Sequence, residues 1–345
     1  MMKLWQMLLA GTPAKTVGIA LVTSGGGSGT WQRVDKNGNN FTPEASYFDD
    51  HPIWGGIEDV IIDSQAMVKI PKFYVKVEIL SSGDQIGKKA WFVSDMPGDG
   101  FEVHPAFMAQ GYEIDQIYVG KYETSISIGK ATSQLNVLPA LSCFDNYVTQ
   151  CTNRNTGGVT GFHLINIYEL SVIQFLALIE LGTPDTQTAI SKGNITGSIQ
   201  NTGVSNDVYR GIEQLWSNTP CFIDGIRITD FGTTYTLQIF DKSGNGTYQT
   251  TTRSFPASVS GWIVSIFEDS DDDYDFNFCF VGGSTNATET NGNFSDMCFF
   301  IPVDISAIPM HGGTDDDDSR YGLFYLNIGY TSTLWSQGGA RLAKI

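Results

Sequence analysis

The chain has 345 residues, of which 41% are apolar and 12% aromatic, enough for a packed core in one elaborated domain or in two. Its 37 acidic residues outnumber 20 basic ones and give a formal net charge of −17. Such a charge repels a phosphate backbone, which excludes nucleic acid as an expected partner. No stretch approaches the ~18 apolar residues of a membrane-spanning helix, so we expect no membrane insertion.

The first section, residues 1–30, is predicted to be an N-terminal attachment arm. It contains a short apolar stretch, residues 4–10, and then a glycine-serine segment, residues 24–29, whose composition is typical of a flexible linker. A cleaved signal peptide is the alternative for the apolar stretch, because Lys3 precedes it. The polar Gln6 interrupts that stretch and argues against this alternative.

The second section, residues 31–104, is predicted to be a small β-rich domain. Apolar and polar residues alternate along residues 73–79, the period of a half-buried strand. Further strands are predicted at residues 60–62, 67–71 and 90–93.

The third section, residues 105–345, contains one clear helix signal. Asn166 and Glu169 have the spacing of a capping box, and an apolar helix follows that ends at Gly182. Later strands are predicted at residues 235–240, 262–267, 275–280 and 297–301. Glycine is also abundant, at 38 residues, so the whole chain is expected to be rich in strands and loops.

Two separated segments, residues 209–228 and residues 338–343, carry the most informative pattern. Residues 209–218 predict a short polar-faced helical turn with Glu213 and Trp216. Residues 222–228 predict a hairpin, because an Asp-Gly pair between apolar arms favours a type I′ turn at Asp224. Near the end of the chain, Gly-Gly-Ala-Arg-Leu-Ala occupies residues 338–343.

These segments resemble the signature of the C-type-lectin fold that formylglycine-generating enzymes share with retroelement-diversified phage adhesins and many phage tail proteins. The resemblance implies that the strand at residues 117–123 pairs with the last strand, near Arg341. It departs from the catalytic members at Leu342, where they have cysteine, so the fold is expected without the chemistry. The matching positions are Arg210, Gly211, Glu213, Trp216, Asp224, Gly225, Gly339 and Arg341.

In the adhesins, the stretch before the last strand is a solvent-facing patch that recognises the host surface. The resemblance therefore implies a receptor-binding set in this chain. Alternate residues from Leu323 to Ile328 would instead fill the inward face of a strand, which leaves Tyr325 and Asn327 outward. The predicted receptor contacts are Tyr321, Tyr325, Asn327, Tyr330, Thr333 and Trp335.

Two acidic runs raise the question of a cation. Asp269, Asp271 and Asp273 have the alternate spacing of a calcium loop, although Tyr274 and Phe280 exclude an EF-hand. A solvated acidic loop is the favoured interpretation, with Ca²⁺ as the alternative and no other cofactor expected. The four carboxylates of residues 315–318 form either a metal or partner site or a second solvated loop.

The five cysteines show no metal-site spacing. Buried free thiols are favoured over a bridge between Cys143 and Cys151. A copper-dependent oxidase of the formylglycine-generating kind is a further alternative; its cysteine pair would have to be Cys279 and Cys298, which do not match the motif positions.

These observations predict an α+β, β-rich protein: an N-terminal arm and a small β section, followed by a C-type-lectin-like domain. The function expected from the resemblance is non-enzymatic receptor binding in a phage tail, with a host cell-surface protein or glycan and other virion proteins as partners. Synthesis in the host cytoplasm, residence in the virion and a homotrimeric assembly follow from the same resemblance. The alternative is a structural tail or decoration protein without receptor binding.

Overall fold

The computed structural model describes residues 14–231, 234–256, 260–300, 307–313, 320–330 and 336–345. Strands account for 38% and helices for 13%, which confirms the predicted β-rich α+β class. Before the first α-helix the strands are β1 (Thr16–Thr23), β2 (Thr30–Val34), β3 (Glu58–Ile62), β4 (Gln65–Pro71), β5 (Tyr74–Ile79), β6 (Lys89–Ser94), β7 (Glu102–Val103), β8 (Met108–Ala109), β9 (Tyr112–Glu113), β10 (Gln116–Gly120), β11 (Ser125–Ser127) and β12 (Lys130–Thr132).

The remaining part of the chain contains the α-helices and the later strands. They are α1 (Phe144–Thr152), β13 (Phe162–Leu164), α2 (Ile167–Leu181), α3 (Thr186–Ala189), β14 (Val208–Tyr209), β15 (Ile212–Glu213), β16 (Cys221–Phe222), β17 (Ile226–Phe231), β18 (Thr234–Phe240), β19 (Tyr248–Pro256), β20 (Ser260–Ile266), β21 (Gly282–Asn286), β22 (Met297–Phe300), β23 (Ile308–His311), β24 (Leu326–Tyr330) and β25 (Leu342–Lys344). Short 3-10 helices lie at Trp54–Gly56, Pro105–Phe107, Phe276–Phe278 and Glu289–Asn291.

The first sheet, with strand order β2-β1-β6-β5-β7, corrects the prediction of an N-terminal arm. β1 lies inside this sheet, and the side chains of Val17 and Ile19 are fully buried. The glycine-serine segment that follows is fixed by hydrogen bonds, from Gly25 N to Asn293 Oδ1 at 2.7 Å and from Gly26 N to Thr290 O at 2.6 Å. A linker composition can thus form an ordered loop when a distant segment supplies acceptors for its amides. Residues 1–13 lie outside the described residues.

The second sheet, β13-β25-β10-β4-β3, joins the first and last parts of the chain. Val119 pairs with Ala343 in antiparallel register, which confirms the predicted pairing of β10 with the last strand. On its other side β10 pairs with β4 from the predicted small domain. Sections 31–104 and 105–345 therefore share a sheet, and one apolar cluster contains Phe73 as well as Phe175 and Ile328.

Helix α2 confirms its sequence prediction. The Asn166 side chain accepts from the backbone N–H of Tyr168 and of Glu169, Glu169 bonds back to Asn166 N, and Gly182 ends the helix at φ +72°. The helix is buried on nearly every side, as expected for one that is apolar all round. Trp54 from the front section donates to the carbonyl of Leu176 at 3.2 Å.

The remaining larger sheets are six-stranded, β16-β23-β24-β22-β20-β21, and three-stranded, β17-β18-β19. They confirm strands close to the predicted residues 235–240, 262–267 and 297–301. The strand predicted at 275–280 is wrong, because Asp275 accepts a hydrogen bond from Asn277 N at 2.7 Å and begins a 3-10 helix instead. A local side-chain cap here competes successfully with an alternating apolar pattern.

Candidate functional site

The sequence segment 209–218 forms a hairpin rather than the predicted helical turn. β14 and β15 pair through Tyr209 and Ile212, with Arg210 and Gly211 as the two loop residues. Arg210 has φ +46° and Gly211 has φ +87°, the positive values that a type I′ turn requires at both central positions. The type I′ geometry predicted for Asp224 and Gly225 therefore occurs fourteen residues earlier.

Asp224 and Gly225 connect two sheets instead of closing a hairpin. β16 before them pairs with β23, and β17 after them pairs with β18. Asp224 N donates to the carbonyl of Ile165 at 3.0 Å, and Asp224 O accepts from Ile167 N at 2.9 Å. The predicted hairpin is wrong because these backbone groups pair with the segment that leads into α2.

Arg341 is the centre of the terminal signature. Its buried guanidinium donates to the carbonyls of Gly120 at 2.8 Å and Lys121 at 3.3 Å, at the end of β10. It also donates to the carbonyls of Glu213 at 2.6 Å and Gln214 at 2.9 Å, at the end of β15. One side chain thus holds three segments together, and its role is structural.

Gly339, Trp216 and Arg210 of the signature are also structural. A Cβ on Gly339 would lie 2.1 Å from Thr219 Oγ1, so only glycine fits without a shift of that neighbour. Trp216 is buried, and its indole N–H donates to the carbonyl of Ser191 at 2.9 Å. Arg210 donates to Asp49 at 2.7 Å and to Glu180 at 3.0 Å, which joins the end of α2 to the front section.

A buried carboxylate at Glu123 was not identified from the sequence. It accepts hydrogen bonds from Thr219 N at 3.1 Å and from the Asn218 side chain. Burial raises the pKa of Glu123 to about 7, although the bonds from Thr219 and Asn218 and the charge of Arg341 act in the opposite direction. No local pattern predicts this group, because its partners are more than ninety residues away.

The strands β22 and β24 form the base of the predicted receptor surface. They are parallel, with Cys298 opposite Leu326 and Phe299 opposite Asn327. Cys298 and Leu326 are buried in the main core, whereas Phe299 and Asn327 are half-exposed on the other side. We call the latter side the outward face; it comprises Met297, Phe299, Tyr321, Tyr325 and Asn327.

One predicted receptor contact on the outward face, Tyr325, is wrong. Tyr325 points away from the main core, as the alternation predicts, but only 5% of it is exposed. The ring of Tyr321 packs edge-on against it with centroids 4.7 Å apart, and the ring of Phe299 lies 6.0 Å away. Tyr325 therefore supports the surface, and Phe299 and Met297 join it although the sequence analysis did not single them out.

Among the described residues, Tyr321 and Asn327 are the predicted contacts that are partly exposed. Tyr321 is half-buried, its carbonyl accepts from the Gln187 side chain at 2.8 Å, and the guanidinium of Arg320 lies 5.3 Å from its ring. The side-chain oxygen of Asn327 is buried and has no hydrogen-bond partner within the described part of the chain. Thr333, Trp335 and the side chain of Tyr330 lie outside the described residues, as do residues 315–318.

The structure does not gather Asp269, Asp271 and Asp273 into a ligand set. Asp269 is buried, and its oxygens accept from Thr252 N at 3.0 Å, Thr252 Oγ1 at 2.7 Å and the Tyr274 hydroxyl at 2.9 Å. Burial alone would raise the pKa of Asp269, but these bonds lower it below its ordinary value. In the described ranges, no group of three or more His, Cys, Asp or Glu side chains has the geometry to hold a metal ion.

All five cysteines are free thiols, as predicted in preference to a bridge between Cys143 and Cys151. The predicted burial is confirmed for four of them and is wrong for Cys143, which is half-exposed. Burial raises the pKa of Cys298 to about 12 and that of Cys279 well above its ordinary value. Both thiols are therefore protonated in the folded protein.

No protein-family model matches this chain, and the comparison with curated proteins finds no match. Among the helices of the described residues, none is long and apolar enough to cross a bilayer.

Proposed function

We propose that this protein is a non-enzymatic component of a phage tail that presents a C-type-lectin-like module to a receptor on the host surface. The sequence resemblance supports the proposal, and so does the pairing of β10 with β25, which brings the two ends of the module together. The bonds from Arg341 to four carbonyls add a rigid connection at the same place.

The main support for the proposal is the composition of the outward face. It combines half-exposed aromatic rings, Tyr321 and Phe299, with the amide of Asn327 on a sheet whose other side is packed in the core. Aromatic rings supply a large contact area with few rotatable bonds, and amides adapt their hydrogen bonds to a partner. Since Tyr325 packs against both rings, they lose little conformational entropy when a partner binds.

The partner is a host cell-surface protein or glycan, and the rest of the tail supplies the attachment point. In a homotrimer, three copies of the face would act together and strengthen weak single contacts through their effective concentration. The net charge of −17 is consistent with a partner other than nucleic acid.

Competition for host cells tests this proposal. Purified protein is added to host cells before the parent phage, and phage adsorption is measured against protein concentration. We expect a concentration-dependent block, and a Tyr321→Ala variant that needs roughly thirtyfold more protein, since an interface tyrosine commonly contributes about 2 kcal/mol. Tyr112→Ala is the matched control, because Tyr112 is 77% exposed and lies outside the outward face.

A structural tail or decoration protein is the second candidate function. Leu135, Leu138 and Val204 are 60%, 55% and 61% exposed, and neighbouring virion subunits would cover such side chains in an assembly. The same experiment separates the two functions. Unchanged adsorption with the wild-type protein favours the structural role, and an equal block by Tyr321→Ala and the wild type rejects the outward face as the binding site.

A further inference from the structure

A surface cleft of about 340 Å³ lies apart from the outward face and shares no residue with it. Strand β13, the start of α2, the connection at Asp224, the Pro105–Phe107 helix with Met108, and the loop after β18 together form its walls. A volume of this size falls within the range of small-molecule sites, about 300–1,000 Å³.

The side chain of His163 is a fixed positive charge in the cleft. His163 Nδ1 lies 2.8 Å from the carbonyl of Gly161, and Nε2 lies 2.8 Å from Glu169 Oε1. Both neighbours accept hydrogen bonds, so both ring nitrogens carry protons. Burial alone would lower the pKa of His163, but the Glu169 carboxylate raises it to about 9.

Asp224 supplies an acceptor beside this cation. Its Oδ1 accepts from Gly225 N at 2.7 Å and from the Tyr248 hydroxyl at 2.8 Å. Its Oδ2 receives no hydrogen bond from any described residue, and the half-buried carboxyl lines the cleft. By contrast, Glu169 uses its second oxygen to accept from Asn166 N at 3.0 Å.

The rim of the cleft is held in place before any ligand arrives. Asp241 accepts from the backbone N–H of Ser243 at 3.1 Å, of Asn245 at 3.1 Å and of Thr247 at 2.7 Å. Its carboxylate is therefore committed to its own loop. The half-buried side chains of Phe240 and Met108 provide apolar walls.

The charges of the cleft disfavour an anionic ligand above all, because the carboxylates of Asp224, Glu169 and Asp241 outnumber the His163 imidazolium. A ligand cation that approached Asp224 would meet that imidazolium. A neutral ligand with hydroxyl donors avoids both costs, since a hydroxyl can donate to Asp224 Oδ2 while carbon-bound hydrogens pack on Phe240 and Met108. The geometry points to a binding site for a neutral polyhydroxylated ligand, a pyranose unit of a mono- or disaccharide, in which Asp224 is the principal hydrogen-bond acceptor.

Titration of the full-length chain with free sugars tests this inference by calorimetry. The probes are a panel of neutral hexoses and their disaccharides, a hexosamine as the cationic arm and a hexuronate as the anionic arm. We expect saturable binding of at least one neutral sugar. Asp224→Asn keeps an oxygen for Gly225 and Tyr248 but replaces the open acceptor with a donor, and binding should weaken about tenfold or more. Asp115→Asn, which changes a carboxylate outside the cleft, should bind like the wild type.

A second variant blocks the cleft without changing a buried group. Asn245 is exposed on the rim, so Asn245→Trp should abolish sugar binding while the unfolding transition stays unchanged. The inference is overturned if no neutral sugar binds, if only the hexosamine or the hexuronate binds, or if both variants retain wild-type affinity. It does not rest on receptor binding at the outward face, because that proposal is decided separately by phage adsorption.

Discussion

Replacing Arg341 by methionine tests whether a single side chain holds the two ends of the module together. The guanidinium is 3% exposed and donates to four backbone carbonyls, three of them at 2.6–2.9 Å. Methionine has a similar length but no donor. In the variant, the carbonyls of Gly120, Glu213 and Gln214 would be left in the interior without this partner.

The expected loss can be worked from these contacts. A hydrogen bond from a charged group contributes about 1.5–3 kcal/mol, so three good bonds set an upper range of about 4.5–9 kcal/mol. Removing the charge also removes the cost of burying it, and water can reach some of the freed carbonyls. We therefore expect Arg341→Met to lower the free energy of unfolding by about 3–5 kcal/mol, a large share of the ~5–15 kcal/mol typical of a folded protein.

Urea denaturation followed by tryptophan fluorescence measures this loss, since Trp216 is buried close in sequence to Gln214. Arg341→Lys is the matched control. It keeps the charge, but its ammonium cannot reproduce the planar fork that reaches both segments, so we expect an intermediate loss of about 2 kcal/mol. A loss below about 1 kcal/mol for Arg341→Met would refute the reasoning, because the carbonyls would then be satisfied in another way.

Three further predictions concern single residues. The pKa of His163 is about 9 in the folded protein and about 6.5 in the unfolded chain, so its stabilisation is complete below pH 6.5 and is lost as the pH rises to 9. The free energy of unfolding of His163→Gln, measured across this window, should lack up to about 3 kcal/mol of that pH dependence, and identical curves for variant and wild type would contradict the assignment. Gly339→Ala places a Cβ 2.1 Å from Thr219 Oγ1, so we expect the free energy of unfolding, measured by thermal denaturation, to fall by about 1–3 kcal/mol. An unchanged midpoint would mean that the Thr219 side chain rotates away without cost. Cys143 is the half-exposed thiol, so Ellman's reagent should modify one cysteine rapidly in the native protein and the other four only after unfolding. Rapid reaction of two or more cysteines would show that the remaining thiols are not all buried.

The sequence by itself determined the elements whose causes are local. The capping box at Asn166, the glycine end at Gly182 and the continuous apolar run between them specify α2 without help from distant residues. The alternation through Leu326 and Ile328 likewise determined which side of β24 faces the core. The partner of β10 was predicted from the resemblance of the terminal segments, and its register confirms that expectation.

Tertiary structure alone decided the features that depend on distant partners. The Asp-Gly pair at 224–225 favours a tight turn, yet its backbone pairs with Ile165 and Ile167, and Arg210 takes the turn geometry instead. Tyr325 is outward by alternation but covered by Tyr321. The glycine-serine segment is ordered by acceptors from residues 290 and 293. Periodicity and turn preferences describe a residue's neighbours along the chain, whereas burial, hydrogen-bond satisfaction and the charge balance of a cleft depend on groups that only folding brings together.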